Sequence, residues 1–227
     1  FAYLLPNFQN PTGHVYGVSR RKAIVEVARE QRLALVEDNP YGDLWYDAPP
    51  PRPLAARWPE GVLYLGSFSK VLAPGLRLGY VVAPPSLYPK LLQAKQAADL
   101  HTSILNQRIV HEVLRTGMLD EHVPAIRARY QVQRDAMQAA LERHMTGLAT
   151  WARPTGGMFF WLELREGIDA MALLPRAVEA GMAYVPGAAF YAQAARANTL
   201  RLSFVTASPA QIAQGVEMLA RVLGAAS

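Results

Sequence analysis

An α/β domain built on a largely parallel sheet, followed by a small α+β domain, is the fold class this sequence predicts. Two observations predict it. In the first half, short apolar runs alternate with helical stretches, the strand–helix–strand order that a parallel sheet requires. From about Thr146 the character changes, and strand and helix patterns there fit a smaller mixed unit. The expected organisation is a domain over 1–118, a long linking helix over 119–145 and a small domain over 146–227.

Tyr3 to Leu5 reads as a strand, and the polar, turn-rich stretch from Pro6 to Gly17 as a loop. Ser19 is placed to cap a helix reaching about Gln31, with Ala23, Ile24, Val27 and Ala28 on its apolar face. Leu33 to Val36 is a continuous apolar run, the pattern of a strand buried on both faces, with Asp38 just past its end. Val62 to Leu65 and Leu78 to Ala83 read as two further buried strands. Helices are predicted over about 87–98, 103–115 and 119–145. Met158 to Leu162 is then a strand, and Ala170 to Ala180 a helix stopped by Gly181. Leu200 to Phe204 alternates as a half-buried strand. Ser208-Pro209-Ala210-Gln211 is a capping box with Pro at the first helical position. The last helix is expected to bury Ile212, Val216, Leu219 and Val222.

Composition narrows the chemistry. Among 227 residues there is no Cys, which excludes disulfides, a thiolate nucleophile and thiolate metal sites. The net charge of +5 is spread along the chain, which argues against a nucleic-acid partner. No apolar run is long enough to cross a bilayer, and there is no export signal, so a cytoplasmic protein is expected. The chain opens without Met, on what reads as the middle of a strand, so an N-terminal portion is expected to precede it.

Four local features can carry chemistry, all in or near segments that follow strands, where open α/β sheets place ligands. Asn10-Pro11-Thr12-Gly13 is by itself an ordinary turn, or a turn that holds an Asn amide for hydrogen bonding. Asp38-Asn39-Pro40-Tyr41 puts an acid at the mouth of an apolar strand, which is costly unless a cation meets it. Ser67-Phe68-Ser69-Lys70, with Arg77 seven residues on, combines two hydroxyls, an amine and a guanidinium. An amine condenses with a carbonyl, and Ser and Arg bind phosphate oxygens. Arg201, on the polar side of an apolar strand, is either a structural charge or a bidentate clamp for a carboxylate.

In that order and spacing, these motifs resemble the fold-type I aminotransferases of class I/II, which use pyridoxal 5'-phosphate. The resemblance implies the aspartate aminotransferase-like fold: the C-terminal part of a large parallel-sheet domain plus a small α+β C-terminal domain. It implies that Lys70 is the catalytic residue, binding the cofactor as a Schiff base and later moving a proton between substrate and cofactor. Asp38 would pair with the pyridine nitrogen, Tyr41 and Asn10 with the phenolic oxygen, and Ser67, Ser69 and Arg77 with the phosphate. Arg201, with Asn10, would bind the substrate carboxylate. No metal is implied.

The segments Glu37 to Leu44 and Pro154 to Trp161 are similar to the 2-aminoadipate and aromatic aminotransferase branch. That implies amino donors such as 2-aminoadipate, aromatic or branched amino acids, and a 2-oxo acid acceptor such as 2-oxoglutarate. The family also implies a homodimer, and an N-terminal segment that completes the phosphate cradle and stacks a ring on the cofactor. Without that segment the chain is expected to bind cofactor poorly. Two alternatives stay open. One is the aminotransferase-like, cofactor-sensing domain of a winged-helix transcription regulator. Against it, the Asp-x-Tyr-x-Ser-Glu-Phe wording of such regulators does not follow Asp38. The other is a β-lyase or decarboxylase on the same fold, which would share the cofactor residues.

Overall fold

Three strands with β-rich, apolar sequence pair in parallel at the start of the chain. The computed structural model describes residues 1–224, grouped into two compact units: 1–9 with 14–126, and 10–13 with residues from 127 onward.

In the first unit β1 (Ala2–Leu4), β2 (Leu35–Asp38) and β3 (Val62–Ser67) run parallel, and β4 (Gly79–Val82) joins β3 antiparallel in the order β1-β2-β3-β4. Side chains alternate across a strand. Leu35 and Val62 therefore face the helix α1 (Val18–Glu30), where they form a core with Val25, Ala28 and Leu54. Tyr3, Val36 and Asp38 lie on the other face. The unit continues through helices α2 (Tyr88–Asp99) and α3 (Ile104–Arg115). Ser103 caps α3, its Oγ accepting from the Asn106 N–H. The 27-residue helix α4 (Met118–His144) begins in the first unit and continues in the second.

The second unit holds an antiparallel sheet in the order β5-β6-β8-β7, made of β5 (Ala149–Trp151), β6 (Phe159–Leu164), β7 (Val185–Pro186) and β8 (Thr199–Ser203). Phe160, Leu162 and Leu164 are buried at every second position of β6, and Leu200 and Leu202 likewise on β8. Helix α5 (Ala170–Glu179) is capped by Asp169, which accepts from the N–H groups of Met171 and Ala172. Gly181 follows it with φ of 84°, a left-handed backbone that favours Gly at a helix end. Helix α6 (Pro209–Gly224) opens on the expected capping box: the Ser208 N–H donates to Gln211 Oε1 and the Gln211 N–H to Ser208 Oγ. Its buried Ile212, Val216, Leu219 and Leu223 contribute roughly 6–12 kcal/mol of apolar transfer before chain entropy is counted.

Several local expectations are corrected. Gly17, not Ser19, precedes α1 as its cap, and no side chain caps it. The face of α1 that is buried is Arg21, Val25 and Ala28, while Val27 is exposed, because the helix turns to bury Arg21 against Glu37. Leu33 and Ala34 precede β2, since Arg32 takes a left-handed φ of 51° that delays the extended backbone; Asp38 is the last residue of the strand rather than outside it. Only alternate residues of β2 are buried. All four residues of β4 are exposed, and it is the edge of its sheet among the described residues. Leu223 replaces Val222 among the fully buried positions of α6. The short strands β5 and β7 had no readable pattern at two or three residues.

Candidate functional site

Parallel pairing brings the C-terminal ends of β2 and β3 to the same sheet edge. The register sets Asp38 beside Leu65, and the Asn39 N–H donates to the Leu65 carbonyl at 3.0 Å. The Asp38–Tyr41 segment and the Ser67–Lys70 turn thus leave the sheet side by side.

The turn after β3 is held by its own side chain and backbone. Ser67 Oγ accepts from the Ser69 N–H at 3.1 Å, and the N–H groups of Leu72 and Ala73 donate to the Phe68 carbonyl. A hydroxyl that accepts in this way keeps its own O–H to donate. Gly66 lets this strand pass Tyr80, since a Cβ there would stand 2.1 Å from the Tyr80 ring. Lys70 is half-buried with Nζ 6.0 Å from the centre of the buried Tyr41 ring. Arg77 ends the short 3-10 turn Pro74–Leu76 with a φ of 50°, strained for a residue with a Cβ by about 1 kcal/mol. Its guanidinium donates to the Pro74 carbonyl at 3.2 Å and is exposed, and Asn106 holds the turn by donating to the Leu76 carbonyl at 2.9 Å.

A polar network lies around Asp38. The Tyr3 hydroxyl donates to Asp38 Oδ2. Burial, then the Asp38 bond and charge, push the Tyr3 phenol up to about 12. Asn39 accepts from Asn7 Nδ2 at 2.7 Å and donates to the Tyr64 hydroxyl at 2.6 Å. Burial also pushes Tyr64 up to about 12, although the Asn39 bond works against it. Gly42 packs directly on this amide, where a Cβ would stand 2.3 Å from Asn39 Nδ2.

On the opposite face of β2 the fully buried Glu37 meets the fully buried Arg21 at 3.9 Å. Glu37 accepts from the N–H groups of Leu54 and Ala55, and Arg21 donates to the carbonyls of Pro6 and Tyr16 and to Asn7 Oδ1. Burial pushes the Glu37 carboxyl up and the Arg21 guanidinium down, each countered by the other's charge. An apolar cavity of about 640 Å³, lined by Leu4, Ile24, Val27 and Leu35 among others, opens on this α1 face; none of the residues predicted for chemistry lines it.

In the second unit, residues 10–13 sit with β6 and β8. Arg201, opposite Trp161 in the β6–β8 register, donates through NH1 to Asn10 Oδ1 at 2.5 Å. Its guanidinium lies 4.1 Å from the Phe159 ring centre and 5.1 Å from that of Phe190. Such stacking fixes the planar fork of an Arg. The Asn10–Pro11 peptide is cis. Gly13 adopts a φ of 72°, which explains Gly at the end of that turn.

Of the residues expected to act together, Asp38, Tyr41, Ser67, Ser69, Lys70 and Arg77 thus fall in the first unit, and Asn10 and Arg201 in the second. Sequence reasoning missed Tyr3, Asn7, Asn39 and the aromatic flanks of Arg201. Only the strand register exposes them.

The family model for class I and II aminotransferases matches residues 3–219. The aromatic-amino-acid aminotransferase 1 of Thermococcus litoralis is 45% identical over 97% of this chain and 53% of its own length. The 2-aminoadipate transaminase of Thermus thermophilus is 46% identical over 98% of this chain and 57% of its own. A Bacillus subtilis protein described as an HTH-type transcriptional regulator is 34% identical over 96% of this chain and 45% of its own. The crystal structure of the α-aminoadipate aminotransferase of Thermus thermophilus, complexed with N-(5'-phosphopyridoxyl)-L-leucine, superposes with a TM-score of 0.94 at 44% identity, covering 99% of this chain and 59% of that one. The chain spans about half the length of the curated relatives it matches.

Proposed function

The chain belongs to the class I and II aminotransferase family, and from that premise we propose that it is part of a pyridoxal phosphate-dependent transaminase. The donors proposed are 2-aminoadipate, aromatic or branched amino acids, and the acceptor a 2-oxo acid such as 2-oxoglutarate. The observation that carries this reading is the shared C-terminal edge of β2 and β3, which sets an acid and a Ser-x-Ser-Lys turn side by side. The transaminase names of its relatives support it.

The residues fit pyridoxal phosphate by their chemistry: an amine, a carboxylate, a phenol, two hydroxyls and a guanidinium within one unit. When bound, the cofactor supplies an aldehyde that captures amino groups and a ring that accepts electrons from the substrate α-carbon. Asp38 would hold a proton at the ring nitrogen, and Tyr41 and Asn10 would donate to the ring oxygen. Ser67, Ser69 and Arg77 would bind the phosphate through charge-assisted hydrogen bonds. The half-buried Lys70 Nζ would hold the cofactor through its aldehyde and, once displaced by the incoming amino group, would serve as general base and acid for the α-proton. Arg201, oriented by Phe159, Phe190 and Asn10, binds the α-carboxylate.

Residues 1–118 are proposed as the C-terminal part of the family's large domain, 119–145 as the linking helix and 146–227 as the small domain. The full-length protein is proposed to act as a cytoplasmic homodimer, which sedimentation tests for the assembly. A cofactor-sensing role is the second reading, favoured by the regulator relative.

An absorbance spectrum of the full-length protein with pyridoxal phosphate separates these readings. Transamination predicts a visible band that 2-aminoadipate bleaches and 2-oxoglutarate restores, and that Lys70→Ala abolishes. A Lys70-dependent band that no amino donor bleaches favours the sensor, and absence of any band refutes the cofactor assignment.

A further inference from the structure

Tyr3 is a strand residue with no chemistry of its own in the sequence pattern. The β1–β2 register sets it opposite Val36. Period two then puts Val36 and Asp38 on one face, so the phenol on the neighbouring strand reaches forward to the carboxylate. The contact is made: the Tyr3 hydroxyl donates to Asp38 Oδ2. Oδ1 is the other carboxylate oxygen, and one acceptor is what a ring N–H requires.

We propose that Tyr3 is a positioning residue for the pyridine-binding acid: it holds the Asp38 carboxylate by Oδ2 so that Oδ1 meets the cofactor nitrogen, and it moderates the negative charge placed there. This rests on the cofactor reading above. A carboxylate free to rotate about its terminal bond meets the ring nitrogen in many orientations, whereas one pinned by a neighbouring phenol is preorganised. The donor is constant through the working range, because the phenol is raised to about 12. The titratable groups around the pair are Tyr41, which also raises Tyr3, and Lys70 from the turn after β3, above the Tyr41 ring.

The test is Tyr3→Phe in the full-length protein, which keeps the ring and removes only the hydroxyl. Two quantities are read: the dissociation constant of pyridoxal phosphate from the apoprotein, and the pH midpoint of the visible absorbance of the loaded protein. Removing the donor leaves Asp38 more mobile and its negative charge without the phenol's hydrogen bond. The proposal therefore expects affinity to fall roughly three- to tenfold, the scale of one modest hydrogen bond. It also expects the midpoint to move upward by roughly a few tenths of a pH unit, because a more negative carboxylate favours the protonated cofactor. Tyr3→Leu serves as the second variant; it should match Tyr3→Phe in midpoint if the hydroxyl is what matters. Wild-type binding with a Lys70-dependent band, together with an unchanged affinity and midpoint in Tyr3→Phe, overturns the role of Tyr3 while leaving the cofactor reading intact. No band in the wild type overturns both.

Discussion

Replacing Arg21 by Met removes the cation from a fully buried pair and leaves Glu37 behind. At 3.9 Å and an effective dielectric constant near 20, the attraction between the two charges is about 4 kcal/mol. Desolvation of both groups offsets much of that in the intact pair. After the substitution Glu37 keeps only the N–H groups of Leu54 and Ala55, and the carbonyls of Pro6 and Tyr16 and the side chain of Asn7 each lose a donor. Removing one partner of such a pair costs roughly 3–5 kcal/mol. In a chain of this size, that corresponds to a drop in Tm of about 6–20 °C. Urea titrations of the wild type, Arg21→Met, Glu37→Gln and the double variant measure it. The cycle should give a coupling of roughly 2–3 kcal/mol, because the double variant no longer buries an uncompensated charge. A loss below about 1 kcal/mol for Arg21→Met, or a coupling below about 0.5 kcal/mol, would refute the reading of Arg21 and Glu37 as a mutually compensating buried pair.

Gly42→Ala would drive a Cβ to 2.3 Å from Asn39 Nδ2; unfolding titrations should show a loss of roughly 1–3 kcal/mol, the usual cost of overpacking. Tyr3, Tyr64 and Tyr184 are each raised to about 12. An ultraviolet phenolate titration should therefore show a late-ionising fraction. Between about pH 10 and 12 the unfolded chain releases these protons while the native one holds them, so the contribution to stability is full below about pH 10 and is lost as pH rises towards 12. Denaturant midpoints measured across that range check the sign. Arg201→Lys keeps the charge but loses the planar fork and its stacking on Phe159 and Phe190; steady-state kinetics should show KM for the amino acid rising about 10- to 100-fold, with kcat falling less.

The residues by themselves determined the kinds of elements and the order of the reactive groups. Apolar runs separated by helical periods are local signals, and so are the Ser208–Gln211 capping box and the left-handed Gly181, all of which lie within a few residues of what they control. Asp38, Ser67, Lys70 and Arg77 stand out as candidates for the same reason: each belongs to a short motif beside a strand. Register and pairing were not local. Tyr3 reaches Asp38 across 35 residues, and Arg201 reaches Asn10 across 191. A one-residue slip between β1 and β2 would turn Tyr3 to the opposite face. The burial of Arg21, whose charge favours solvent, was decided by a carboxylate on a neighbouring strand. β4 is exposed and lies at the edge of its sheet among the described residues. Strand apolarity describes what a segment can cover, and only the assembled sheet settles which face meets which partner.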